Sequence, residues 1–234
     1  MNDMLRLQTY LQTTGRYHGD LDGLYGPATR QAILEGMEDG PDTELCEQDY
    51  RDSAGRLGCD PAAIMAFAAV EANGAGFEAG EPKLLFEPHR FSKLTQGRFD
   101  GSNPDVSYPK WGARPYPSKI SDRYAQLLKA VGLDVYAGFA AASYGKFQIL
   151  GENHEAAGYD TPWEFAFAMA YDEVTQLKAF ELFVRSAGIL PFLRSGNWVE
   201  CAKRYNGPAY AKNRYDVKLA QAFRAISLKL ERAG

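Results

Sequence analysis

The chain is poor in cysteine and histidine. Its three cysteines, Cys46, Cys59 and Cys201, are widely spaced in 234 residues. An odd, scattered set gives no disulfide framework and no zinc signature. Reduced, structural thiols are expected, and a Cys46–Cys59 bridge has nothing in the spacing to support it. The three histidines, His18, His89 and His154, are equally scattered. There is no HExxH pattern, which argues against a metal amidase or peptidase. No metal and no cofactor is expected. No apolar run approaches the ~20 residues of a membrane span. The N-terminus, Met1-Asn2-Asp3-Met4-Leu5-Arg6, lacks a basic n-region and an apolar h-region, so a cytoplasmic start is expected. Phosphate-loop and GxGxxG patterns are missing too. Strand signals are few, and internal repeats are absent.

What is present is enough to build a core. Apolar residues make up 45% and aromatics 13% of the chain. That composition suits one large domain, or one of about 180 residues plus a small module. The net charge of −4 is unevenly spread: residues 1–60 carry −7, and residues 201–234 carry +6. A basic end attracts anionic polymers or surfaces; the simpler reading is a solvated helix face. The acidic total disfavours nucleic acid as a partner.

Two segments differ in character. In residues 1–40, Leu5, Leu7 and Leu11 form a helical stripe with Gln8 and Gln12 beside it. A loop follows, Gly15 to Thr29, with four glycines and a proline in fifteen residues. Pro27 can open a second helix carrying Ala28, Ala32, Ile33 and Met37. Asp20 and Asp22 lack EF-hand spacing. From 41 to 234 the reading is helical, over 43–57, 61–72, 121–131, 135–149, 161–186, 197–205 and 213–232. Residues 83–92 and 98–118 are rich in Pro, Gly, Tyr and Ser and predict an irregular loop or small sheet. A loop this long in a compact domain is usually functional. The fold class is therefore mainly α, with a small irregular or β region and a small helical N-terminal module.

Glu71 is the most informative acid. It ends the apolar segment Asp60 to Glu71, in which Asp60 reads as N-cap and Pro61 as the first helical residue. Asn73 and Gly74 supply the left-handed stop. The helix dipole and the apolar surroundings both disfavour an ionised Glu here, and so raise its pKa toward what a general acid at neutral pH needs. The alternative is a solvated Glu near a helix end.

Three further clusters combine glycine or small residues with aromatics and amides. They are Gly74 to Phe77 running on to Lys83–Phe91, Ala142 to Ile149, and Arg204 to Tyr210. Sugars need that mix, because aromatic faces pack on C–H groups and amides bond to hydroxyls. Ala141-Ala142-Ser143-Tyr144-Gly145 is not read as a nucleophile elbow, since the flank is helical and no acid and histidine follow in order.

Two resemblances rest on these residues. The string Leu7-Gln8, Leu11, Gly15, Tyr17, Gly19, Asp22-Gly23, Tyr25-Gly26, Thr29, Ala32-Ile33 resembles the peptidoglycan-binding module of wall hydrolases, though it is shorter. It implies wall contact through Tyr17, Asp22 and Tyr25. Glu71 before a Gly-rich turn, Ser143 to Ile149 and Tyr205-Asn206-Gly207 together resemble the lysozyme superfamily. The segment Leu85 to Phe91 narrows the resemblance to the N-acetylmuramidase domain of phage endolysins. The resemblance implies a lysozyme-like fold and Glu71 as general acid on the bond between N-acetylmuramic acid and N-acetylglucosamine. Glu87 is the candidate second carboxylate, or else a structural Glu paired with His89 or Arg90; Glu78 is the runner-up. Ser143, Tyr144, Gln148, Tyr205 and Asn206 are expected to touch substrate. The implied partner is bacterial peptidoglycan, and the enzyme is expected to be a monomer released to the wall by a holin-type pore. The C-terminal helix, with Leu219, Phe223, Ile226 and Leu230 on one face, either packs on the core or touches an anionic envelope. A lytic transglycosylase, and a wall-binding phage protein without catalysis, are the competing readings.

Overall fold

Local capping sets the helix that carries Glu71. In the computed structural model, which describes residues 2–208 and 210–233, this helix is α4, Pro61–Ala72. Asp60 accepts from the Ala62 N–H at 2.8 Å, and Pro61 occupies the first turn. Asn73 stands at φ 52°, and the N–H groups of Asn73 and Gly74 both return to the Ala68 carbonyl. Start and stop are those the sequence predicts. Of the residues outside the description, Ala209 belongs to the third cluster and Met1 to the N-terminal reading.

The remaining helices follow in chain order: α1 Asp3–Thr13, α2 Pro27–Glu38, α3 Glu47–Leu57, α5 Pro88–Leu94, α6 Ile120–Leu133, α7 Val135–Ala140, α8 Pro162–Met169, α9 Glu173–Ser186, α10 Leu190–Ser195, α11 Trp198–Asn206 and α12 Tyr215–Ala233. A 3-10 turn, Gly151–Asn153, and five short strands complete the elements of the described residues. β1 (Phe77–Glu78) and β2 (Glu81–Pro82) form a hairpin. β3 (Leu84–Phe86), β4 (Ala142–Tyr144) and β5 (Ile149–Leu150) form an antiparallel sheet in that order. Leu85 pairs with Ser143, and Ser143 with Leu150. The fold is mainly α, as expected.

Two helical expectations and one loop-or-sheet expectation are corrected. Residues 135–149 are not one helix. α7 ends at Ala140 and the alanine-rich stretch pairs with β3 instead, because sheet partners override a modest propensity. Gly145 and Gln148, both at positive φ, then turn the chain into β5. Residues 161–186 are two helices, because Asp172 accepts from the Thr175 N–H and starts α9 afresh. Of residues 83–92, expected as an irregular loop or small sheet, Leu84–Phe86 is strand, but from Pro88 the chain is helical, as α5. Residues 98–118 contain no helix or strand, in line with the irregular-loop alternative. All three cysteines are free.

One hydrophobic core runs through both segments. Leu7, Leu11, Ile33 and Met37 are fully buried in the same cluster as Phe67, Phe139 and Phe167. Tyr10 stacks on Phe167 at 5.6 Å, and Arg6 lies over the Trp163 ring at 5.2 Å. Residue 40 is therefore no gap in packing. α12 lies along α4 and α11, with Leu219 buried and Phe223 against Trp198 at 4.9 Å. Its Lys218, Arg224, Lys229 and Arg232 are exposed.

Candidate functional site

Glu71 points into a cleft of about 560 Å³. Two sets of elements line it. One is the end of α4, the end of α11 with Tyr205 and Asn206, and the start of α12 with Tyr215. The other is the three-stranded sheet with Leu85, Ser143 and Gln148, and the start of α5 with Glu87, His89 and Arg90. Trp111 and Tyr116 reach in from the long loop. The Lys212 ammonium lies 4.7 Å from the Trp111 ring centroid and joins that loop to the α11–α12 connection.

The carboxyl of Glu71 is held rather than solvated. Asn206 Nδ2 donates to its Oε1 at 2.9 Å. Below it, Phe67 on α4 packs against Tyr205 at 4.9 Å, and the Tyr205 hydroxyl donates to the Phe147 carbonyl at 2.6 Å. Burial pushes the Glu71 pKa up to about 7, while the Asn206 hydrogen bond and the Lys218 charge pull it down. The Ala72 carbonyl at the end of α4 accepts from Lys83 Nζ at 2.7 Å, and the Gly74 carbonyl in the turn beyond it accepts from Lys146 Nζ. Burial is the largest cause of the raised pKa. Asn206 Oδ1 is buried and has no hydrogen-bond partner among the described residues.

Glu87 lies in the same cleft, 3.4 Å from His89 Nε2. Burial pushes the His89 imidazole down to about 4, so it is neutral at neutral pH and the contact is not an ion pair. Burial also raises Glu87; Arg90 opposes this and Glu152 adds to it. Arg90 itself pairs with Glu152 at 2.8 Å. A carboxyl that ionises later than usual beside a neutral imidazole is suited to proton handling.

The predicted substrate residues divide. Ser143 and Gln148 line the cleft, but Gln148 is fully engaged. Its Nε2 donates to the Lys83 and Gly145 carbonyls, and its Oε1 accepts from Ser143 Oγ. Tyr144 does not reach the cleft. It is buried, with its hydroxyl on the Phe139 carbonyl, because neighbours on a strand face opposite sides of the sheet. Glu78 is exposed on the β1–β2 hairpin, outside the cleft. Tyr17 is buried and serves its own loop. It donates to the Asp20 carbonyl at 2.9 Å and lies 3.3 Å from Gln8 Nε2. Asp22 stays at the surface, with Oδ1 accepting from Gln8 and the Leu24 N–H. Tyr25 packs on α6 at Gly132. The sequence reading missed Trp111, Tyr116, Glu152 and Tyr215; the unusual length of the 98–118 loop was the signal for the first two.

Comparison with known proteins adds to this geometry. Residues 60–227 match the family profile described as N-acetylmuramidase. Among solved structures the chain is similar to the crystal structure of Burkholderia AP3 phage endolysin. The identity is 34% and the TM-score 0.69, over 97% of this chain and 95% of that one. No curated protein matches.

Proposed function

The chain belongs to the N-acetylmuramidase family, and on that premise we propose that Glu71 is the general acid that protonates the bond between N-acetylmuramic acid and N-acetylglucosamine. The enzyme is a peptidoglycan hydrolase, a glycosidase with a lysozyme-like fold similar to that of a phage endolysin. One observation carries the assignment of Glu71. Its carboxyl lies in the cleft with a pKa of about 7, so it still holds a proton where an ordinary carboxyl has lost it.

The mechanism follows from that proton. Glu71 gives it to the leaving glycosidic oxygen as an oxocarbenium-like transition state forms. The Asn206 bond then stabilises the carboxylate that remains. Glu87 is the second carboxylate, stabilising positive charge or activating water once ionised. Tyr205 and Ser143 contact the glycan, and Gln148 shapes the sheet edge that the glycan lies against. Residues 1–40 form a peptidoglycan-binding-like module seated on a catalytic part, 41–234. Its wall-facing surface is the exposed rim near Asp22, since Tyr17 is inside. The exposed cations of α12 give weak contact with an anionic envelope, and the enzyme works as a monomer after release to the wall.

The test is product analysis of digested peptidoglycan for wild type, Glu71→Gln and Glu87→Gln. Wild type releases reducing-end muramic acid, one water heavier than an anhydro product. Glu71→Gln stays folded and releases none. Near-wild-type release by Glu71→Gln removes it from the role of acid, and undiminished release by Glu87→Gln removes Glu87 from the role of second carboxylate.

A further inference from the structure

The turn that follows Glu71 is held by a buried ion pair that the chemistry does not use. Lys146 and Glu173 meet at 2.7 Å, with side chains 6% and 1% exposed. Glu173 accepts three donors from three distant segments. They are the Gly76 N–H at 2.6 Å, the Leu45 N–H at 2.8 Å and the Lys146 ammonium. Lys146 also donates through Nζ to the Gly74 carbonyl, and its own N–H goes to Gln176 Oε1 at 2.6 Å. Gly76 and Gly145 are both pressed against the Gln176 side chain, where a Cβ would collide.

This placement joins two parts of the cleft. Gly74 and Gly76 belong to the turn that ends the Glu71 helix. Lys146 sits in the turn between β4 and β5, whose Ser143 and Gln148 line the cleft. A buried pair is seldom the most stabilising way to fill such a space, because desolvating two charges offsets their attraction. What it supplies is a fixed distance between segments that hydrophobic contacts alone would let slide.

We propose that Lys146 and Glu173 are positioning residues for Glu71, setting the height of its carboxyl in the cleft relative to the β4–β5 turn. The proposal rests on the reading of Glu71 as general acid. Neither residue touches substrate, and both act through the turn Asn73–Gly76. Loss of the pair lets the turn shift, and a displacement near 1 Å costs about 10²-fold in rate.

The test compares Lys146→Met, Glu173→Gln and the double variant K146M/E173Q with wild type and Glu71→Gln on solubilised peptidoglycan. The double variant leaves no unpaired buried charge and so is the one best able to fold. Per folded molecule, kcat falls ten- to a hundredfold while KM stays within about twofold, and the alkaline limb of the rate profile moves to lower pH as the carboxyl gains solvent. A structural role alone would lower the melting temperature and leave kcat and the limb in place; that result overturns the proposal. Hydrogen exchange on the wild-type protein gives a reading independent of the variants. The Gly76 amide is protected relative to those of exposed Trp111, Gly112 and Arg114, and equal exchange also overturns the proposal. If Glu71→Gln remains active, the general-acid reading fails first. If it is dead and K146M/E173Q has the wild-type kcat and profile, only the positioning role fails.

Discussion

Glu71→Gln is expected to stabilise the enzyme while destroying its activity, in a pH-dependent way. The folded protein holds the Glu71 carboxyl at about 7, against 4.5 when unperturbed. Between those values the folded state keeps a proton that the unfolded chain releases. Stability therefore falls as pH rises through that window, and the full cost is reached above about pH 7. At 1.36 kcal/mol per unit, the cost is about 3 kcal/mol. Glutamine has the same shape and no proton to lose, and its amide oxygen can still accept from Asn206. The variant should match wild type near pH 4.5 and exceed it by about 3 kcal/mol at pH 8.5. For a chain of this size that is roughly 6–12 °C in Tm. Other groups titrate alike in both proteins and cancel in the difference. Guanidinium unfolding followed by circular dichroism at the two pH values measures it. A difference that does not change with pH would refute the reasoning, because the burial said to hold the proton on Glu71 would then not exist.

Three further outcomes are expected. Asn206→Leu removes the hydrogen bond that pulls the Glu71 pKa down, so the alkaline limb of kcat/KM moves upward by about one to two pH units; Lys218→Met moves it the same way by less, and a pH–rate profile on permeabilised cells measures both. Deleting residues 2–40 uncovers the partners of Leu7, Leu11, Ile33 and Met37, a loss of roughly 6–12 kcal/mol at 1.5–3 per side chain. That is comparable with a whole domain's stability, so the shortened chain should bind a hydrophobic dye and lose its cooperative melt.

The parts of the site readable from sequence are those specified locally. Asp60, Pro61, Asn73 and Gly74 fix the Glu71 helix within a few residues of one another, and its limits were plain. The burial of Glu71 is different. Asn206 and Lys218, which act on its charge, come from α11 and α12, more than 130 positions along the chain. No window of sequence contains that pairing. Tyr144 went astray because Ala142 to Tyr144 was read at helical period. At the strand's period of two, Ser143 faces the cleft and its neighbour faces the core. Tyr17 and Asp22 lie in the ordered loop that its glycines and Pro27 mark, but nothing in the spacing singles out Gln8, beside the leucine stripe, as its organising centre. Gln8 is fully buried, and its Nε2 lies within bonding distance of Tyr17, Asp22, the Leu24 carbonyl and Thr29. The Lys146–Glu173 pair had no signal at all, since each residue looks like an ordinary surface charge.

The shared interior of the first forty residues and the remainder bears on how such muramidases can be recombined. Swapping the leading segment for one from a relative would graft a foreign piece onto an interlocked whole, not exchange beads on a string. Tyr10 against Phe167 and Arg6 over Trp163 would have to be matched by the donor, contact for contact. Hybrids should succeed when the crossover lies inside a solvent-facing turn and both flanking partners travel together, and fail when it is placed at residue 40.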